Sequence, residues 1–72
     1  MNTTETYCKA IDRNITLYLR EQGITQGELA RRLGMSENTL RWKRNGSHDW
    51  KLSEIVMLAK VCGFSMDEVL AI

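Results

Sequence analysis

The sequence predicts an all-α fold, a single compact domain of five short helices, and three observations indicate this. Apolar residues recur at spacings of three and four along most of the chain, as they do on helices with one buried face. Capping residues and glycines separate these segments by only a few positions, and the chain of 72 residues contains no proline. A chain of this length supports one small core. We therefore expect a flexible N-terminus over residues 1–5 and one domain over residues 6–72.

The first predicted helix extends from Tyr7 to Gln22, and Gly23 provides the left-handed residue at which helices commonly end. Its apolar residues share one helical face. They are Tyr7, Cys8, Ile11, Ile15, Tyr18 and Leu19. We expect this face to pack on the core.

A second helix is predicted over about residues 26–33. Thr25 and Glu28 have the spacing of a capping box, in which the hydroxyl and the carboxylate satisfy backbone N–H groups at the start of a helix. Its buried stripe consists of Leu29, Ala30 and Leu33. Gly34 ends the helix.

A third helix is predicted over about residues 37–45, with Ser36 as its N-cap and Gly46 as its stop signal. Only Gly34 and Met35 separate this N-cap from the second helix. Two short helices joined by a tight turn that contains glycine are typical of a helix-turn-helix motif.

A polar loop over residues 47–51 leads to the last two predicted helices. We interpret Trp50 in this loop as a core anchor, with a place on a dimer surface as the alternative. The fourth helix ends at Gly63, and its apolar face consists of Leu52, Ile55, Val56, Leu58, Ala59 and Cys62. Ser65 and Glu68 form a second capping box, which predicts a short fifth helix.

Several kinds of segment and site are missing from the sequence. No run approaches the roughly 20 apolar residues of a membrane span, and residues 1–5 lack the apolar core of a signal peptide, so we expect a cytoplasmic protein of a bacterium or a phage-infected host. Cys8 and Cys62 are interpreted as small buried apolar residues, because a disulfide between them would need an oxidising compartment. His48 has no catalytic neighbours in the sequence. We expect no enzymatic activity, no cofactor, no metal and no small-molecule substrate.

The run ITQGELARRLGMS at residues 24–36 resembles the helix-turn-helix of the Cro/CI-repressor-like (XRE) DNA-binding proteins, whose fold is the lambda-repressor-like domain. Residues 52–70 are similar to the following part of that domain, and the resemblance covers about residues 15–70. It implies five helices, with the third as the recognition helix in the major groove of DNA and the second across the backbone. It also implies two-fold dimers on half-sites about one helical turn apart.

The resemblance also implies which side chains contact DNA. Gln26 corresponds to a contact with phosphate or a base, and Asn45 to a phosphate contact. Ser36 caps the third helix near the backbone, and the groove-facing positions are Glu37, Asn38, Arg41 and Trp42. The complete set of expected DNA-binding residues is Gln26, Ser36, Glu37, Asn38, Thr39, Arg41, Trp42, Lys43, Arg44 and Asn45.

The charge and chemistry of the residues support DNA binding independently of the family resemblance. Residues 31–51 carry six basic and two acidic residues, a net charge of +4, whereas residues 1–30 and 52–72 carry −1 and −2. Such a concentration of positive charge is typical of phosphate binding, with a solvated basic face as the plain alternative. Asn38 can bond adenine and Arg41 guanine in a bidentate way. Glu37 either accepts from cytosine N4, acts against binding to non-cognate sequences, or interacts with the dipole at the start of its helix.

The third helix departs from the family pattern at one point. Position 43 is usually apolar in the family, but here it is Lys43 and the aromatic residue Trp42 precedes it. Leu40 and Trp42 point about 200° apart on a regular helix, so they cannot both face the core. We expect Trp42 to be exposed and the alkyl part of Lys43 to cover the edge of the core. A distorted helix end with Trp42 turned inward is the alternative.

The sequence therefore predicts a small sequence-specific transcriptional regulator of Cro or repressor type that acts by occupying operator DNA. The alternative is a protein-interaction module on the same fold, such as a modulator, antirepressor or antitoxin-like partner of another regulator. The expected partner is double-stranded operator DNA, and the sequence leaves open a homodimer and a partner repressor. No membrane partner is expected.

Overall fold

The computed structural model describes residues 3–65, and these residues form four α-helices without strands. The helices are α1 (Thr3–Gln22), α2 (Gln26–Leu33), α3 (Glu37–Arg44) and α4 (Leu52–Cys62). The all-α class is confirmed. The described part of the chain has one helix fewer than the five expected, and the residues of the predicted fifth helix after Ser65 lie outside it.

α1 begins at Thr3, four positions before the predicted start at Tyr7. Residues 3–5, which were expected to be flexible, are therefore the first residues of this helix. The apolar pattern marks where a helix is buried, but it does not mark where a helix begins. Because no glycine or proline interrupts the polar residues before Tyr7, the helix can continue through them.

The two helices of the predicted helix-turn-helix form at Gln26–Leu33 and Glu37–Arg44, and α3 ends one residue before the predicted bound at 45. The Oγ1 of Thr25 accepts from the backbone N–H of Glu28 at 3.1 Å, and α2 begins at the next residue, Gln26. Gly34 ends α2 in the left-handed conformation, with φ of 73°. The Oγ of Ser36 then caps α3 by accepting from the N–H of Thr39 at 3.1 Å. Two side-chain caps and one left-handed glycine thus define the motif locally.

The core receives residues from all four helices and from the loop before α4. Its buried members are Ile11, Ile15, Leu29, Ala30, Leu40, Trp50, Ile55 and Leu58. Trp50 is 4% exposed, which confirms its interpretation as a core anchor of the loop. Because α1 and α2 both pack against α3 and α4, this core holds α3 at a defined orientation.

The predicted apolar face of α4 is only partly buried. Ile55 and Leu58 lie in the core, whereas Leu52 and Val56 are exposed, contrary to the sequence pattern. At about 100° per residue, Leu52 lies roughly 90° and Val56 roughly 130° from the centre of the stripe formed by Ile55 and Leu58. More apolar residues occur on α4 than one face of a helix can bury.

Cys8 and Cys62 are free thiols, half-buried against the core as small apolar residues. Burial raises the pKa of the Cys62 thiol to about 11, so this thiol is protonated at neutral pH. Within residues 3–65 no group of His, Cys, Asp and Glu has the arrangement of a metal site. No helix in the same range is long and apolar enough to cross a membrane.

Candidate nucleic-acid interface

One face of α3 points into solvent. Asn38, Arg41, Trp42 and Asn45 follow the spacing i, i+3, i+4 and i+7, which places them on the same side of the helix, and all four are exposed. Leu40 points the opposite way and is completely buried. The structure thus places three of the four predicted groove-facing residues on one surface with Asn45, the C-cap of α3 that was predicted as a phosphate contact. We call this surface the α3 face.

Trp42 is 44% exposed, which confirms the expected orientation of its side chain. Its ring lies against that of His48, with 5.2 Å between the ring centroids. The backbone N–H groups of Ser47 and His48 both donate to the carbonyl oxygen of Trp42, at 2.9 and 3.2 Å. These contacts hold the loop after α3 beside the indole, so Trp42 has a supported position at the edge of the α3 face.

Glu37, Ser36 and Thr39 surround the start of α3. Glu37 is exposed and lies 4.0 Å from the guanidinium of Arg41, four residues later. The hydroxyl of Ser36 donates to Thr39 Oγ1 at 2.9 Å. An exposed ion pair of this kind contributes little to stability, so Arg41 can exchange its partner at low cost.

Lys43 is placed differently from the other predicted DNA-binding residues. Only 7% of the residue is exposed, and its Nζ donates to the carbonyl oxygen of Asp49 and pairs with Glu54 Oε1, both at 2.9 Å. The same Nζ lies over the ring of Trp50, 5.8 Å from the ring centroid. The structure therefore corrects the expected DNA contact of Lys43: its ammonium is used inside the protein, where it links α3 to α4.

The ion pair changes the acidity of Glu54. Burial by itself raises the pKa of a carboxyl group, but the hydrogen bonds from Lys43 and from the backbone of Lys51 outweigh that effect and hold the pKa of Glu54 below its usual range. The carboxylate is consequently charged at neutral pH and can neutralise the buried ammonium.

Arg44 lies at the junction of three helices, with 19% of its side chain exposed. Its guanidinium donates through Nε to Asp12 Oδ1 at 2.6 Å, through Nη1 to Gln26 Oε1 at 2.7 Å, and through Nη2 to Thr16 Oγ1 at 2.9 Å. Asp12 and Thr16 were not among the predicted site residues, because they precede Arg44 by 32 and 28 residues and no local pattern links them to it.

Gln26 is the first residue of α2, and its side chain is half-buried beside Arg44. Two residues further on, Glu28 accepts from Arg31 at 2.7 Å and from Arg32 at 3.4 Å. The hydrogen bond from Arg31 is the largest cause that lowers the pKa of Glu28. The two arginines of α2 are therefore held by a carboxylate of the same helix.

The positive charge of residues 31–51 is largely matched in space. Five of its six cations have an acidic partner, and three of the acidic partners, Asp12, Glu28 and Glu54, come from outside that segment. Counting charges along the sequence therefore overstated the basic surface. In the part of the chain that the structure describes, Lys51 is the one cation of this segment without an ion pair.

A groove of about 770 Å³ runs between α1 and the end of α3 and reaches Arg44, Asn45 and Gly46. Lys9, Arg13 and Arg20 of α1 also line it. These three cations have no ion pair with the side chains of residues 8–65. They were not among the predicted site residues, although the spacings of four and seven residues place them on one side of α1.

Comparison with known proteins gives one match. A helix-turn-helix domain family matches residues 17–72, which include the end of α1 and all of α2, α3 and α4. Neither the curated proteins nor the solved structures gave a match. The match covers most of the chain and agrees with the resemblance to XRE-type DNA-binding proteins, so it indicates a DNA-binding regulator. The chain belongs to the helix-turn-helix domain family.

Proposed function

We propose that this protein is a small sequence-specific transcriptional regulator of Cro or repressor type. It occupies operator DNA with α3 in the major groove and performs no enzymatic step. The observation that carries the proposal is the α3 face, because four side chains able to contact bases or phosphates share one exposed side of a short helix that the core holds rigidly.

The chemistry of the α3 face fits base edges. An amide such as that of Asn38 matches adenine N6 and N7, and a guanidinium such as that of Arg41 matches guanine O6 and N7. Each good pair contributes about 1–3 kcal/mol of discrimination against the wrong base. The indole of Trp42 offers an apolar surface to a thymine methyl group or a sugar.

The charge distribution favours binding that depends on base sequence over tight binding to any duplex DNA. Since most cations of residues 31–51 already have acidic partners, few remain to attract phosphates without rearrangement. We expect modest affinity for random DNA, with a substantial share of operator affinity contributed by base contacts.

A titration of fluorescent duplex DNA at rising salt tests the proposal. The operator is first selected from a random duplex library with the wild-type protein, and its affinity is compared with that of random duplex. Binding should fall steeply with salt, with a log–log slope of about −0.9 for each phosphate contacted. Absence of binding to either duplex near about 50 mM salt, where electrostatic contacts are strong, contradicts the proposal.

Two variants with the same charge loss give the specificity arm of this experiment. Arg41→Ala should reduce the preference for the operator by about 5- to 150-fold, the equivalent of one bidentate base contact. Arg31→Ala removes an equally charged side chain, 78% exposed on α2, and should leave the preference nearly unchanged. Equal losses of operator preference in both variants would contradict a base-reading role of Arg41. Sedimentation of the complex gives its stoichiometry, for which we expect two chains on paired half-sites.

The exposed indole of Trp42 favours a second candidate function. Tryptophan is prominent among residues that dominate protein–protein binding, and here it is supported by His48. In this alternative the chain binds the DNA-binding domain of another regulator and buries Trp42. Trp42→Ala should then abolish capture of that regulator while Arg41→Ala preserves it, and the duplex titration should show no binding.

A further inference from the structure

We infer that Arg44 is a positioning residue: it fixes the side-chain amide of Gln26 with its N–H₂ group directed outward at the start of α2, ready to donate to a DNA phosphate. The inference rests on the proposed function. It gives Arg44 a role different from the direct DNA contact that the sequence predicted.

The hydrogen bonds of Arg44 are directed inward. Its Nε, Nη1 and Nη2 each donate to a different side chain, and these three partners belong to α1 and α2. Asp12 supplies a negative charge at 2.6 Å, so a phosphate would have to compete with a carboxylate that is already in place. The guanidinium is thus engaged within the protein before any DNA arrives.

The chemistry of the two groups determines how the Gln26 amide is turned. A guanidinium has five N–H donors and no acceptor, so only the oxygen of an amide can face it at hydrogen-bond distance. Gln26 Oε1 accepts from Arg44 Nη1 at 2.7 Å, which directs Nε2 to the other side. Arg44 therefore selects one of the two orientations in which an amide group can lie.

The Nε2 group of Gln26 is available to a ligand. No acceptor among residues 8–65 bonds it, and the one buried side-chain nitrogen without a partner in that range is Trp50 Nε1. It follows that Gln26 Nε2 reaches solvent. Gln26 is also the first residue of an eight-residue helix, where free backbone N–H groups and the helix dipole favour an anion. An outward N–H₂ donor at that end adds a further bond to a phosphodiester oxygen.

Four proteins of matched charge test this inference with the selected operator: wild type, Gln26→Ala, the pair Asp12→Ala/Arg44→Ala, and all three substitutions combined. Removing Asp12 and Arg44 together keeps the net charge at +1. We expect Gln26→Ala and the paired substitution each to weaken binding about tenfold, as for the loss of one hydrogen bond to a charged group. The combined protein should be no more than about twofold weaker than Gln26→Ala, because Arg44 acts through Gln26.

The salt dependence separates positioning from direct contact. If Arg44 only orients Gln26, the paired substitution leaves the log–log salt slope unchanged. A slope smaller by about 0.9 would mean that Arg44 itself neutralises a phosphate and would overturn the inference. Losses that multiply in the combined protein would overturn it as well. Thermal unfolding confirms that each variant is folded. If the paired substitution fails to fold, Arg44→Lys replaces it, because lysine keeps the charge but lacks the planar guanidinium that reaches three separate acceptors.

A measurement on the free protein keeps this inference distinct from the proposed function. The chain has one other glutamine, Gln22, which is exposed at the end of α1 and serves as an internal control. Nitrogen-15 relaxation should show a rigid side-chain amide for Gln26 and a mobile one for Gln22, with an order parameter below about 0.6. In the Arg44→Lys protein the Gln26 amide should become as mobile as that of Gln22. Equal mobility in the wild type would overturn the positioning role even if the protein binds DNA.

Discussion

Lys43 shows how a charged side chain can occupy a position inside a small core. Its ammonium has two acceptors at 2.9 Å, the carbonyl of Asp49 and the carboxylate of Glu54, and its Nζ lies over the ring of Trp50. Taking both charges out of water costs free energy that their attraction offsets only in good geometry. We therefore expect this ion pair to fix the position of the loop between α3 and α4 and to contribute little net stability.

Breaking this pair on one side should be costly. Glu54→Ala should lower the free energy of unfolding by about 3 kcal/mol, at the lower end for a buried pair because 24% of the Glu54 side chain is exposed. Adding Lys43→Met to Glu54→Ala should recover most of the loss, since no charge then remains buried. Urea unfolding of the three proteins measures the effect, and a double variant as unstable as Glu54→Ala would contradict it.

The same pair predicts a pH dependence. The folded protein holds the pKa of Glu54 below its ordinary value of 4.5, so the unfolded chain binds more protons there as the pH falls. The resulting stabilisation is complete above about pH 4.5 and is lost as the pH falls through the lower folded pKa. Between pH 5 and 3 the melting temperature of the wild type should therefore fall more than that of Lys43→Met. Parallel decreases in the two proteins would show that the Lys43 contact does not lower this pKa.

At the scale of the helices, α1 does more than cover the core. Ile11 and Ile15 are completely buried, whereas Asp12 and Thr16 hold Arg44 and the cations Lys9, Arg13 and Arg20 line the groove. Because this groove reaches the end of α3, α1 can present positive charge beside the α3 face. Through Arg44, α1 also contacts the end of α3 and, indirectly, the start of α2 at Gln26.

The groove makes a testable contribution to DNA binding. Arg13→Ala should weaken binding to the operator and to random duplex alike, and should reduce the log–log salt slope by about 0.9, because one phosphate contact is lost without any base contact. Lys60→Ala is the matched control, since Lys60 is an exposed cation on α4 that lines no part of the groove. If both variants change the slope equally, net charge alone explains the effect and the groove has no particular role.

At the scale of the whole molecule, internal ion pairs limit the electrostatic field that DNA meets. The net charge is +1, and Glu28 alone accounts for two of the pairs that engage cations of the motif. Exposed pairs of this type are weak and sensitive to salt. They reduce non-specific attraction while leaving the side chains free to rearrange.

Removing the charge of Glu28 should increase the non-specific attraction of the protein to DNA. Glu28→Gln should raise the affinity for random duplex and steepen its salt dependence, because Arg31 and Arg32 lose their acidic partner. Glu21→Gln changes the net charge equally, but Glu21 is an exposed residue with no ion pair in residues 3–65, so we expect a smaller gain. Anisotropy titrations at two salt concentrations compare the two variants. A gain as large for Glu21→Gln would indicate a general charge effect.

Much of this protein is determined by its sequence alone. Thr25, Ser36 and Gly34 specify where α2 and α3 begin and end, and the spacing of Leu40 against Asn38, Arg41 and Trp42 predicts which side of α3 is exposed. These features depend on hydrogen bonds and side-chain directions within about four residues, so the local sequence contains them. Only the tertiary structure decided the burial of the Lys43 ammonium, the exposure of Leu52 and Val56, and the partners of Arg44. The partners of Arg44 lie 18 to 32 positions away and those of Lys43 lie 6 and 11 positions away, so packing between elements brings them within hydrogen-bond distance.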